Sequence, residues 1–115
     1  MITLGQHYLI EFVGCDADRL SYVEQVEPAL LEAVRQSKAS YVDHRAHQFA
    51  PVGVSLVVMI EESHFSIHTW PEHRFAALDI FTCGEMNAQA AIDHLSAAFA
   101  ATHTNVRVIA RGFDA

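Results

Sequence analysis

A chain of 115 residues with 51% hydrophobic and 18% charged side chains is long enough to bury one core and too short for two, which excludes a disordered protein and a separate cofactor domain. Seven Lys and Arg stand against fourteen Asp and Glu, a formal charge of −7. That field repels phosphate backbones and excludes nucleic acid as a natural partner, while it would draw in a small cation.

The elements follow in chain order. Residues 6–13, QHYLIEFV, alternate in part and predict a strand ending at Gly14. Asp16 or Asp18 can open a helical stretch, but Pro28 interrupts the pattern of Leu20, Val23, Leu30, Leu31 and Val34, so the helix is placed at 27–37. Residues 39–49 read as a strand, and 52–60, VGVSLVVMI, as a buried one crowded with β-branched residues. The stretch ESHFSIHTW, residues 62–70, alternates so that Phe65 and Ile67 share one face while His64, Ser66 and His68 share the other; Pro71 ends it. FAALDIFT, 75–82, predicts another strand closed by Gly84. From Asn87, a plausible cap, Ile92, Leu95 and Phe99 recur at helical intervals, and NVRVIAR, 105–111, gives the last strand. Strands clustered between two helices predict one α+β domain over residues 1–115: a two-layer sandwich with a mostly antiparallel sheet and both helices on one face. The uncovered face is then a candidate dimer surface.

Two cysteines, Cys15 and Cys83, form no CxxC pair, which favours a reducing cytoplasm over a disulfide framework. No basic leader precedes the first strand, and no apolar run reaches the roughly 18 residues that would span a bilayer. The expectation is a cytoplasmic protein without a membrane partner.

Residues 62–83 hold the chemistry. Taken singly, His64 and His68 read as sheet-face histidines, Ser63 as a turn residue and Cys83 as a small hydrophobe. A zinc site from His64, His68, His73 and Cys83 meets a geometric objection: positions i and i+4 on a strand lie roughly 13 Å apart, so no metal is expected. A serine or cysteine hydrolase lacks both the GxSxG elbow and a Gly-rich oxyanion loop. A fourth reading uses the bond before Ser63. Its hydroxyl reaches the Glu62 carbonyl carbon, converting amide to ester. Loss of the Ser63 Cα proton then eliminates the ester, cuts the chain and leaves, after hydrolysis, a pyruvoyl group. A short chain thereby makes its own electrophilic carbonyl.

The run GVSLVVMIEESHFSIHTWPEHRFAALDIFTCGE, with its pattern ESHxxIHTWPE followed by AxxDxFTCG, resembles the core of the prokaryotic S-adenosylmethionine decarboxylases. These are self-processing, pyruvoyl-dependent enzymes of polyamine synthesis. LGxH near the N-terminus and HxF at 47–49 extend the likeness over nearly the whole chain. The resemblance implies cleavage between Glu62 and Ser63 into a β-chain, 1–62, and an α-chain, 63–115, whose first residue is the pyruvoyl cofactor derived from Ser63. It implies that His68 is the processing base and that Ser55 supports the cyclic intermediate. Cys83 becomes the acid that reprotonates the substrate carbon; a thiol, with an ordinary pKa of about 8.5, suits that task. Phe49 stacks on adenine and Glu72 accepts bonds from the ribose hydroxyls of S-adenosylmethionine. His64 belongs to the motif without a separate role. The implied assembly is a homodimer with active sites near the subunit interface.

The match departs at Val52, Leu56 and the pair His73–Arg74, where the family pattern carries an aromatic, a small residue and a small or aromatic pair. Bulk there would reshape the pocket, which keeps two alternatives open: a pyruvoyl-dependent arginine or ornithine decarboxylase, and a non-processing homologue that binds without catalysis.

Overall fold

The computed structural model describes residues 3–113, and they fold around one six-stranded sheet. In chain order the elements are β1 (Thr3–Val13), α1 (Ala17–Leu20), α2 (Val23–Ser37), β2 (Tyr41–Gln48), β3 (Val54–Ile60), β4 (Ser63–Trp70), a 3-10 turn (Pro71–His73), β5 (Phe75–Thr82), α3 (Ala88–Ala98) and β6 (His103–Phe113). The strands lie in the order β2-β3-β4-β5-β1-β6, and every neighbouring pair is antiparallel. The predicted α+β two-layer sandwich is the observed architecture.

Period-two alternation decides which side of each strand meets the helices. Ile10 and Phe12 of β1, Leu56 and Val58 of β3, Phe65 and Ile67 of β4 and Leu78 and Ile80 of β5 are all buried on that side. From α2, Val26, Leu30, Ala33 and Val34 close over them, and from α3, Ala91, Ile92 and Leu95 do the same. Phe99, just past α3, meets Phe12 edge-on with ring centroids 5.8 Å apart. Asn87 caps α3, its Oδ1 accepting the Ala90 N–H at 3.0 Å. The Asn87 N–H donates to Ser37 O at 2.9 Å, so the end of one helix is tied to the start of the other.

Among the described residues, no helix covers the opposite sheet face. Val57 and Met59 of β3 and Ile109 of β6 stand there 46%, 56% and 45% exposed, and between β3 and the β6 edge runs a groove lined by Leu9, Glu11, Ala77, Asp79, Asn105 and Arg107. An apolar strip mixed with charges is what a second protein surface would cover.

Several predicted boundaries move: β1 begins at Thr3 rather than 6, β3 at Val54 rather than 52, and β6 spans His103–Phe113 rather than 105–111. The long helix begins at Val23 rather than 27 and carries Pro28 inside it, because the burial of Val26 on the sheet outweighs one missing backbone bond. A separate single turn, α1, precedes it, capped by Asp16, whose Oδ1 accepts the Asp18 N–H at 3.0 Å. The strand predicted at 39–49 is an exposed edge, β2. It is docked to α2 through His44, with Nε2 3.2 Å from Glu27 Oε2 and Nδ1 2.7 Å from the Tyr41 hydroxyl.

Candidate functional site

The chemistry-bearing residues fall into two clusters at opposite ends of the β3–β4 hairpin. At the turn end, Ile60 pairs with Ser63, so Glu61 and Glu62 form a two-residue connection. The Glu62 carbonyl oxygen accepts two bonds from one residue: the Cys83 backbone N–H at 3.0 Å and the Cys83 thiol at 2.9 Å. Ser63 Oγ lies 4.0 Å from the same sulfur. The carbonyl carbon next to Ser63 thus has its oxygen held by preorganised donors, the arrangement that stabilises charge developing there when a nucleophile adds.

Local sequence explains the approach. Strand β5 ends at Thr82, whose hydroxyl accepts the Gly84 N–H at 3.2 Å and turns the chain toward the hairpin. A Cβ on Gly84 would sit 2.6 Å from Glu62 Cγ, so only glycine lets the segments come this close. From the other side, Glu62 Oε1 accepts the Ser40 N–H at 3.0 Å, and that bond holds the Glu62 carboxyl below its ordinary range.

At the other end, Ser55 and His68 face each other across β3 and β4, with Ser55 Oγ 2.8 Å from His68 Nδ1. They open into a cavity of about 550 Å³ whose walls include Phe49, Val52, Trp70 and Glu72. The size suits a nucleoside-sized ligand. Glu72 is exposed and sits on the turn Pro71–His73. Arg74, left-handed at φ 51°, fixes that turn: its carbonyl oxygen accepts the Cys15 N–H at 3.0 Å, and its Nε donates to Cys15 O at 2.6 Å.

One chain does not bring its two clusters together. Ser63 and His68 are five residues apart on one strand, roughly 17 Å at about 3.3 Å per residue. Seven site residues singled out by sequence therefore divide as Glu62, Ser63 and Cys83 at the turn, against Phe49, Ser55, His68 and Glu72 at the cavity. His64 belongs to neither. It faces the open side against Phe81, with ring centroids 6.0 Å apart, and burial, aided by His7, pushes its pKa down while Asp79 opposes. His73 lies with Trp70 and Phe75 in a separate groove. Among the described residues no three His, Cys, Asp or Glu side chains converge on a point for a metal ion.

Sequence reasoning missed the residues that hold these groups in place: Ser40, Gln48, Thr69 and the Cys15–Arg74 pair. Each acts through a bond between a side chain and the backbone of a distant segment, and no local pattern announces such a bond.

Comparison with known proteins places these features in a family. Residues 6–112 match the profile described as S-adenosylmethionine decarboxylase. A protein of Pelotomaculum thermopropionicum named S-adenosylmethionine decarboxylase proenzyme is 46% identical over 95% of this chain and 87% of its own length. One of the same name from Pyrococcus horikoshii is 40% identical over 99% of this chain and 83% of its own. The crystal structure of the adenosylmethionine decarboxylase from Aquifex aeolicus superposes with a TM-score of 0.92 at 35% identity, covering 100% of this chain and 96% of that one.

Proposed function

From the premise that this chain belongs to the S-adenosylmethionine decarboxylase family, we propose that it decarboxylates S-adenosylmethionine after cutting itself between Glu62 and Ser63. The observation that carries the reading is the Glu62 carbonyl oxygen held by two donors of Cys83, directly before a serine. Ser63 Oγ adds to the Glu62 carbonyl carbon, and the charge that develops on the oxygen meets the Cys83 N–H and thiol. Expulsion of the Ser63 nitrogen leaves an ester. Removal of the Ser63 Cα proton then forms a Cα=Cβ bond as the Cβ–O bond breaks, and Glu62 departs as a carboxylate. Water replaces the enamine nitrogen, which leaves as ammonia, and residue 63 becomes a pyruvoyl group.

That group supplies an electrophilic ketone able to accept the electron pair released when the substrate carboxylate leaves. The chain's own side chains do the rest. Phe49 stacks on the adenine and Glu72 accepts the ribose hydroxyls, while the Cys83 thiol returns a proton to the substrate carbon. His68, its ring oriented by Ser55, takes the Cα proton during processing.

Because His68 is out of reach of Ser63 on its own chain, the working unit in this reading is a homodimer packed open face to open face. A two-fold axis between the sheets and running across the strands exchanges strand ends, which sets the cavity of one copy over the turn of the other. Val57, Met59 and Ile109 supply the apolar surface for that contact. Cys83, exposed and free, is compatible with a reducing cytoplasm.

Intact mass of freshly purified protein should give two fragments, one ending at Glu62 and one beginning with a pyruvoyl group. Labelled CO2 should appear from S-adenosylmethionine and not from arginine or ornithine. An unbroken chain that releases no CO2 removes the proposal, and release from arginine or ornithine alone reassigns the substrate.

A further inference from the structure

The start of α2 is capped from a distance. Tyr22 at its N-cap makes no side-chain bond, and the Val23 N–H is met by Gln48 Oε1, at the far end of β2, at 2.8 Å. The other half of the same amide faces three carbonyls: Gln48 Nε2 is 2.9 Å from Ser21 O, 3.0 Å from Phe49 O and 3.0 Å from Gly53 O. Two hydrogens serve three acceptors, so one is shared. Residues 49–53 are further closed by Phe49 N–H to Gly53 O at 2.8 Å and Gly53 N–H to Ser21 O at 2.9 Å. Beneath them Thr69 Oγ1 donates to Leu20 O and accepts from the Val54 N–H.

This knot matters because segment 49–53 forms one wall of the cavity and has little apolar surface with which to anchor itself. Phe49 is 47% exposed. Ala50 and Pro51 are exposed as well. Among the described residues, the one ring against Phe49 is that of His47, edge-on at 4.7 Å. Where burial cannot fix a loop, hydrogen bonds must, and each bond lost enlarges the set of conformations that cannot bind.

We propose that Gln48 is a positioning residue: without touching substrate, it holds segment 49–53 so that Phe49 presents its face to the purine nucleoside, and it thereby sets nucleoside affinity rather than the rate of bond breaking. The proposal rests on the assignment of Phe49 and Glu72 to nucleoside binding. Its effect follows from population arithmetic. If the binding-competent loop falls to about a tenth of the molecules, affinity falls about ten-fold and the chemical step is unaffected.

The single tryptophan, Trp70, lines this cavity, so its fluorescence reports occupancy by adenosine, which lacks the amino acid and cannot react. Adenosine titration and steady-state kinetics with S-adenosylmethionine are run on processed wild type, Gln48→Ala, Gln48→Glu and Gln48→Lys. Glutamate keeps the acceptor for Val23 but cannot donate to the carbonyls; lysine has three donors for the three carbonyls and no acceptor. The expected result is adenosine affinity about ten-fold weaker in Q48A and Q48E and within about three-fold of wild type in Q48K, with KM following affinity and kcat within two-fold throughout. If Q48A does not accumulate folded, Q48E and Q48K carry the comparison. Equal adenosine affinity in all four proteins overturns the proposal, as does a loss of kcat with unchanged KM. A wild type whose fluorescence ignores adenosine overturns the nucleoside assignment beneath it instead.

Discussion

At the scale of single residues, the most exacting contact is that of Gly84 with Glu62. A methyl group at 84 would lie 2.6 Å from Glu62 Cγ, so the Glu62 side chain must swing aside and give up the Ser40 N–H, which loosens the turn that presents the Glu62 oxygen to Cys83. Gly84→Ala is therefore expected to slow self-cleavage by about 100-fold, the loss typical of one removed oxyanion donor, while the core stays intact. The measurement is conversion of full-length chain to fragments on a denaturing gel over time. This dependence was half legible beforehand. The adjacency of Glu62 and Ser63 lies in the covalent chain, so sequence alone suggested the acyl shift. That Cys83 supplies both donors depends on the register of β4 against β5, where Ser63 faces Thr82, and register is a property of the folded sheet. The division of the site had the opposite status. Strand spacing already separated positions 64 and 68, and the same arithmetic parts Ser63 from His68.

At the scale of elements, the sequence pattern was a sound guide to strands and a poor one to the start of α2. Alternation survives in every core strand because one face is buried. Pro28 marks a boundary by its missing N–H in the sequence, whereas in the fold Val26, Leu30 and Val34 bury enough surface to carry the helix through it. Gln48 also reaches the first helical N–H from outside the element. Pro28 is exposed and sixth in the helix. Replacing it by alanine restores a bond to the Glu24 carbonyl and relieves a ring clash worth about 3 kcal/mol, offset by up to about 1 kcal/mol of extra freedom in the unfolded chain. Pro28→Ala is thus expected to stabilise the protein by about 2 kcal/mol, to be read from urea unfolding with an unchanged slope. The same helix carries a surface pair in which Arg35 and Gln36 hold the Glu32 carboxyl down to about 2. Lying at the surface, where solvent screens it, the pair is a poor anchor.

At the scale of the whole molecule, the two clusters make a sharp expectation about pairs of chains. Alone, Ser63→Ala and His68→Ala should each remain uncleaved. If the proposed homodimer forms, co-expression gives hybrids in which the intact Ser63 of one chain meets the intact His68 of the other, so only the His68→Ala chain should be cut; mass spectrometry distinguishes the two, and no cleavage in the mixture refutes the shared site. The open face also sets a response to acid. Burial and His7 lower the pKa of His64 from its ordinary 6.5, with Arg111 acting the same way and Asp79 against. As pH falls below 6.5 the unfolded chain takes up a proton that the folded one resists, so stability declines and levels off only below the folded value. The thermal midpoint should drop between pH 7.5 and 5.5, and His64→Gln should flatten that slope. Finally, the order β2-β3-β4-β5-β1-β6 would weave the two products of the proposed cleavage through each other: residues 1–62 hold β1, β2 and β3, residues 63–113 hold β4, β5 and β6, and three ladders cross between them. The nick leaves a stitched fabric whose threads cannot be drawn apart without unravelling the sheet. Once unravelled, they become two free polymers that must find each other again, so maturation turns a unimolecular refolding into a concentration-dependent one.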